Sequence, residues 1–248
     1  NRYGNTIQAV LDQLEEKESR LEKLQDYDAY LDRLRNDLAK KEEELQQLCL
    51  SLTACRKTSA KELTELVTKA LMDLNFLDVR FEMHFAKLDH FTANGVDDCE
   101  FMIAMNPGQP MRPLQDTASG GELSRIMLAI KTVLAEQDDI DTLIFDEIDT
   151  GISGRTAQKV SEKLAQVGKR HQVICITHLP QIASMADYHY LVEKRVENNQ
   201  TISGIKRLSE MDAVSELARM LGGTEITDTV RKSAEEMRAL AREAKKNW

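Results

Sequence analysis

Leu143-Ile144-Phe145-Asp146-Glu147 is a run of three apolar residues that stops on two adjacent carboxylates. A short, wholly apolar run of this kind reads as a strand of a buried parallel sheet, with no solvated face to force alternation. A carboxylate at the end of such a strand is expensive unless something offsets it. The pair therefore points to a metal or a reacting water at the strand tip. Asp146 is a hard oxygen donor suited to Mg²⁺, held through water, and Glu147 is placed to polarise an attacking water. A solvated Asp-Glu pair closing a strand is the plain alternative.

Upstream lies Ser119-Gly120-Gly121-Glu122, whose Ser-x-x-Glu spacing is a capping box at a helix N-terminus. Two glycines in a first helical turn cost about 1 kcal/mol each in propensity, which a cap does not require. They let backbone N–H groups approach an anion, and the helix dipole favours a phosphate there. Downstream, Val173-Ile174-Cys175-Ile176-Thr177 is a second apolar strand, and His178 follows it at the C-terminal edge where open α/β folds bind ligands. Phosphate loop, acid pair and histidine together read as half of an ATP site, with His178 sensing the γ-phosphate and Glu147 activating water. The lysine-bearing glycine loop is missing. Gly168-Lys169 is followed by Arg170 and fails the G-x-x-x-x-G-K-[ST] pattern. The chain reads as one lobe of a split nucleotide-binding head.

Residues 5 to about 58 follow a different grammar, rich in leucine, glutamate, lysine and glutamine. Leu24, Leu31, Leu38, Leu45 and Leu52 repeat every seven residues, with Leu34 and Leu48 three after two of them. That is a coiled-coil seam whose partner helix lies elsewhere. Ile7, Leu14 and Leu21 share the interval but sit three residues out of step, a register break near Leu21 to Leu24. Helical spacing continues through Leu63, Leu66, Val67, Ala70, Leu71 and Leu74. Strands follow at 79–85 and 99–105, the second stopped by Asn106-Pro107-Gly108. Helices at about 120–136 and 154–168 alternate with strands at 142–146 and 173–177. A hairpin runs from Tyr188 to Lys194 and from Thr201 to Leu208, around Glu197-Asn198-Asn199-Gln200. A helix at Ala213 to Leu221 ends on Gly222-Gly223, and a charged helix closes the chain. The expected division is an arm over 1–58 and a globular α/β lobe over 59–248.

With 248 residues, 42% apolar and 30% charged, the composition suits a globular domain with a charged extension. No apolar run approaches the roughly 18 residues that span a bilayer. The first residues lack a basic stretch followed by an apolar core, so no signal peptide is expected. Cys49, Cys55, Cys99 and Cys175 show no C-x-x-C spacing, which argues against zinc and against a disulfide framework. A reduced, cytosolic protein is expected. A net charge of −9 argues against a molecule-wide DNA-binding surface. Lys169-Arg170, Lys206-Arg207, Arg231-Lys232 and Lys245-Lys246 read as solvated faces. His84 and His90 lack metal-ligand partners at a suitable spacing.

These motifs resemble those of the ABC/SMC ATPase superfamily: Ser119 to Glu122 its signature loop, Leu143 to Glu147 its Walker B motif, His178 its switch histidine. Asn106 to Pro110, Ala118 to Arg125, Ile144 to Gly154, Thr177 to Gln181 and Glu216 to Gly223 are similar to a bacterial branch that acts in DNA repair. The resemblance implies the C-terminal lobe of a head, mainly a parallel sheet flanked by helices, with a coiled-coil arm. It implies catalytic roles for Glu147 and His178, Mg²⁺ at Asp146, and ATP contacts by Ser119, Gly120, Gly121, Glu122 and Asp149. It further implies a partner lobe and arm from the N-terminal part of the same protein. Two heads would sandwich two ATPs, each signature loop facing the other head's nucleotide, with Asp149 to Ser153 communicating across that homodimer. The superfamily's usual Leu-Asp ending is here Ile152-Ser153. The implied activity is ATP hydrolysis serving recombinational repair of double-strand breaks on duplex DNA or DNA ends, with no membrane involved. Lacking Walker A, the chain alone is expected to be inactive. A non-catalytic coiled-coil assembly module is the alternative, against which the intact Glu147 speaks.

Overall fold

The computed structural model describes residues 6–116, 119–135, 139–197, 200–223 and 225–246. The chain packs as two compact units: one runs to Thr58 and takes in Lys87–Asp97, the other comprises Ser59–Ala86 and the chain from Asp98.

In the first unit, Thr6 Oγ1 accepts from Ala9 N at 3.2 Å and starts α1 (Ile7–Gln25). The helix stops at Asp26, whose φ of −89° and ψ of 5° are not helical, and α2 (Tyr27–Asp73) begins at once. The interruption falls just after the register break read between Leu21 and Leu24. A three-residue shift in a heptad overwinds a continuous helix, and one non-helical residue absorbs it. The seam is uncovered: Leu24, Leu34, Leu38, Leu45, Leu48 and Leu52 are all exposed.

Two strands, β1 (Arg80–Thr92) and β2 (Gly95–Ala104), are longer than their alternation suggests. Their far ends belong to the first unit, where they gain a surface to pack on. Thr53 and Arg56 of α2 donate to the two carboxylate oxygens of Asp97 at 2.7 and 2.9 Å. Cys49 is buried beside Gly95. The Thr53 hydrogen bond, then Arg56, holds the Asp97 carboxyl below its usual range.

The second unit is built on one apolar core. Val67 and Leu71 from the end of α2, and Leu74 just after it, meet Phe81, Ile103, Ile126, Phe145, Ile148, Val160 and Val167. Phe81 stacks on Phe101 at 5.1 Å between ring centres. The two-residue β3 (Arg112–Pro113) pairs antiparallel with β2 and leads towards α3 (Gly120–Leu134). Leu123 and Met127 stand at the exposed edge of α3. The helix is rolled so that Arg125, Leu128 and Ala129 face inward, because carbonyl partners for Arg125 lie there.

β4 (Thr142–Phe145), α4 (Gly154–Val167) and β5 (Gln172–Cys175) form a parallel crossover with Leu143 opposite Val173 and Phe145 opposite Cys175. Leu143, Phe145, Val173 and Cys175 look into the core. The opposite face is bare: Ile144, Ile174 and Ile176 are 68%, 45% and 58% exposed. The expected buried sheet thus has one of its two faces covered. Nor is parallel pairing dominant. Among the described residues it is confined to β4 and β5, while β2–β3 and the later hairpin are antiparallel. A hairpin needs only a short turn, whereas a parallel pair requires a crossover.

α5 (Pro180–Ser184), not anticipated from the sequence, starts on a proline suited to a first helical turn. β6 (Tyr190–Glu197) and β7 (Gln200–Arg207) pair from Tyr190 with Arg207 to Glu197 with Gln200. The predicted turn residues Asn198 and Asn199 lie outside the described residues. α6 (Glu210–Gly222) starts three residues earlier than its apolar pattern, because Ser209 Oγ accepts from Asp212 N at 3.2 Å and caps it. It ends as expected on Gly223, at φ 68°. α7 (Asp228–Lys246) packs on α6 through Leu217, Ala218 and Ala234.

Candidate functional site

The acid pair sits where β4 ends. Asp146 Oδ1 accepts from Glu147 N at 2.9 Å, and both residues are exposed. Glu147 adopts φ 56°, a left-handed conformation that costs a residue with a Cβ roughly 1–2 kcal/mol. Strain of this kind persists where surrounding contacts over-determine it, and three are visible. Ser124 Oγ of α3 donates to Asp146 O at 2.8 Å. Arg125 Nη1 donates to Ile148 O at 3.3 Å and to Thr150 O at 2.9 Å. Its guanidinium also lies 5.6 Å from the Phe76 ring centre. Burial pushes the Arg125 pKa down, with Glu122 opposing. A buried guanidinium shared between two carbonyls clamps α3 to the 146–150 loop.

The glycine pair belongs to this clamp. A Cβ at Gly120 would overlap the Glu147 carboxylate, and one at Gly121 would lie 2.8 Å from Glu147 O and 3.0 Å from Thr150 Cβ. The two glycines let the first turn of α3 lie against the acid loop, a packing duty beyond the anion contact read from sequence. The capping box forms: Glu122 Oε2 accepts from Ser119 N at 3.0 Å and from Ser119 Oγ at 2.7 Å. Ala118 lies outside the described residues.

Asp149 is buried, 4% exposed. Its Oδ2 accepts from Thr177 Oγ1 at 2.6 Å and from His178 N at 2.8 Å, and lies 3.0 Å from His178 Nδ1. Thr177 Oγ1 in turn accepts from Leu179 N at 3.0 Å. The His178 side chain is 72% exposed. Ile176 N donates to Phe145 O at 3.0 Å, extending the parallel ladder one step past β5. The structure therefore brings Asp146, Glu147, Asp149 and His178 to one sheet edge, with Ser119 to Glu122 on the helix clamped beside it. The Cys175 thiol is pushed up to about 12 by burial, then by Asp149 and Asp146. It is an inert thiol that registers the acids nearby.

Among the described residues no cluster of three or more metal-ligating side chains occurs. Asp146 is an exposed carboxylate at the strand tip, with Glu147 beside it. This suits Mg²⁺, which binds through one or two carboxylates with water and phosphate filling its shell. His90 Nδ1 contacts Asp89 at 2.7 Å, and His84 and His90 stay outside the site.

Comparison with known proteins narrows the reading. The DNA repair protein RecN of Halalkalibacterium halodurans is 37% identical over 250 residues, covering 99% of this chain and 44% of that protein. RecN of Bacillus subtilis is 35% identical over 251 residues, 95% of this chain and 44% of that protein. RecN of Haemophilus influenzae is 43% identical over 196 residues, 79% of this chain and 35% of that protein. The chain belongs to the RecN family. It spans less than half the length of the RecN relatives it matches. No family model matches. Among solved structures, it is similar to the Smc head domain with a coiled coil and joint from Pyrococcus yayanosii, at 19% identity and a TM-score of 0.47, over 86% of this chain and 38% of that one. It is similar also to the Smc head domain with an extended coiled coil from Pyrococcus furiosus, at 19% identity and a TM-score of 0.45, over 85% and 54%.

Three residues with evident duties in this RecN-family chain carried no role in the sequence reading, Ser124, Arg125 and Thr177, and Thr150 entered only as part of the Asp149 to Ser153 loop. Arg125 had a legible signal, a cation next to the apolar stripe of α3. Thr177 had one too, a hydroxyl immediately before the edge histidine. Thr150 contributes a backbone carbonyl, for which side-chain patterns give no sign.

Proposed function

We propose that this chain is the C-terminal lobe, with part of the coiled-coil arm, of an ABC/SMC-type ATPase head acting in recombinational repair of DNA double-strand breaks. The arm is residues 1–58 and the lobe 59–248. The observation that carries the reading is the clamped edge: Asp146, Glu147 and His178 at the ends of β4 and β5, with the Ser119–Glu122 turn bound to the same edge through Ser124 and Arg125. A packing-only module has no use for an exposed glutamate held at φ 56°.

In this reading Glu147 takes a proton from the water attacking the terminal phosphate, and His178 touches that phosphate. Asp146 would hold Mg²⁺, which when bound would supply neutralisation of the phosphate charge. Ser119, Gly120, Gly121 and Glu122 meet the nucleotide of a second head in a head-to-head homodimer, and Asp149 lies in the loop that communicates between the two sites. ATP-driven engagement of the heads changes how the protein holds duplex DNA or its ends.

The bare face of β4–β5 and the uncovered leucine seam support an N-terminal lobe and arm of the same protein as the missing cover. Two further facts agree with it: the sequence contains no G-x-x-x-x-G-K-[ST] loop, and the RecN relatives are more than twice as long as the matched stretch. The test is to mix this chain with the separately expressed N-terminal part of the same protein, with and without duplex DNA. ATP turnover should appear only in the mixture and vanish with Glu147→Gln. A stable complex with no turnover supports the non-catalytic assembly module instead, and turnover indifferent to Glu147→Gln removes Glu147 from the catalytic role.

A further inference from the structure

We propose that Asp149 is the positioning residue of His178: its buried carboxylate selects the Nδ1–H tautomer and leaves Nε2 as the ring atom offered outward. The catalytic consequence rests on the γ-phosphate role given to His178 above; the tautomer itself does not.

The geometry is specific. One oxygen, Oδ2, meets the Thr177 hydroxyl, the His178 amide and the His178 Nδ1 at 2.6, 2.8 and 3.0 Å. A carboxylate 4% exposed is tolerable only when hydrogen-bonded, and bonds to an ionised acceptor are roughly twice as strong as neutral ones. With a carboxylate oxygen at an ion-pair distance of 3.0 Å, a hydrogen on Nδ1 is favoured electrostatically over a lone pair there. A histidine's tautomer is set by the hydrogen bond that its other nitrogen makes. Bonding the backbone N–H of His178 while lying 3.0 Å from its ring nitrogen also biases the ring's direction. Nε2 then faces the exposed side, as a lone pair in the neutral ring or as an N–H in the charged one.

Asp149 is itself held from behind. Arg125 binds Ile148 O and Thr150 O, the carbonyls on either side of it. The chain of contact therefore runs from α3 through Arg125 to the backbone of Asp149, and from its carboxylate to His178. In this arrangement the helix carrying the signature turn sets the aim of the switch histidine.

The test is the ¹⁵N spectrum of the histidine-labelled chain, recorded where the imidazoles are neutral. The protein has five histidines, and His178→Gln assigns the signal. Expected is a His178 ring protonated at Nδ1, reverting to mainly Nε2–H in Asp149→Ala. A wild-type ring protonated at Nε2, or a ring unchanged in a folded Asp149→Ala protein, overturns the proposal. The wild-type spectrum needs no variant, so it decides even where Asp149→Ala fails to fold. In the completed head, Asp149→Ala should lower kcat about tenfold or more, as losing a residue's orienting partner does, and should add nothing to His178→Ala. Additive losses overturn the positioning role. Turnover unchanged in both variants, with the Nδ1–H tautomer intact, sinks the γ-phosphate reading and spares this contact.

Discussion

Gly120 and Gly121 are neighbours in one helical turn, yet they should respond differently to the same added methyl group. At Gly121 the obstacles are backbone and a Cβ, Glu147 O at 2.8 Å and Thr150 Cβ at 3.0 Å, which cannot move without opening the loop. Gly121→Ala should destabilise this chain by about 1–3 kcal/mol in a urea melt, the usual cost of overpacking. At Gly120 the obstacle is the end of the Glu147 side chain, which can swing. Gly120→Ala should leave the melt nearly unchanged, because alanine also favours the helix by about 1 kcal/mol; its effect should fall on ATP turnover in the completed head. Equal melting shifts for the two variants would contradict this. Arg125→Met should cost about 2–3 kcal/mol, since it strands two carbonyls that now accept from a charged donor. Sequence pattern exposed Glu147, His178 and the glycine pair because motif spacing is local. It could not show that Asp149 turns inward, because only the fold brings residues 177 and 178 to it.

α7 illustrates the element scale. Its buried Arg238 donates from Nη1 to Ser184 O and Ala186 O at 3.2 and 3.0 Å, lies 2.9 Å from His189 Nε2, and donates from Nη2 to Glu210 at 3.3 Å. Arg242 also binds Glu210, and Lys245 binds Asp187 at 2.7 Å. Burial, then Arg238, holds the His189 pKa below its ordinary value, with Glu210 opposing and Lys245 adding slightly. The unfolded chain takes up a proton near pH 6.5 and the folded one resists, so the stability is complete above that pH and drains away as pH falls below it. Thermal melts should therefore drop from pH 7.5 to 5.5, with hydrogen exchange quickening in α7, and His189→Gln should flatten the response. Glu210, lowered chiefly by its hydrogen bond to Arg238, adds a second loss only in the carboxylate range. An unchanged slope in His189→Gln would refute the assignment. That helices close the chain here was legible from the sequence. The docking was not, since a lone arginine in a charged helix has the appearance of a solvated residue.

At the scale of the whole molecule, the described residues leave open the leucine seam of α1 and α2 and the Ile144, Ile174 and Ile176 face of β4–β5. Exposed contiguous apolar patches mark interaction sites. Ile144→Thr combined with Ile176→Thr should leave the melt of the isolated chain within about 0.5 kcal/mol, as surface substitutions do, while abolishing capture of the N-terminal part in a pull-down. Retained capture would show that the cover lies elsewhere. The sheet edge was readable from two apolar runs and a histidine. The bare face was not, because a continuous apolar strand looks the same whether its second cover belongs to this chain or to another. Residues 87–97 carry a different lesson. They lie nearly thirty positions beyond the leucine-rich stretch, yet Asp97 takes its partners from Thr53 and Arg56 within it. Severing the chain after residue 58, where the amino-acid pattern changes, would maroon that ribbon tip: an aspartate without its cation and two strand ends with nothing beneath them. A fragment starting at residue 59 should precipitate more readily than the whole chain, and excising 87–97 along with the arm should restore its solubility.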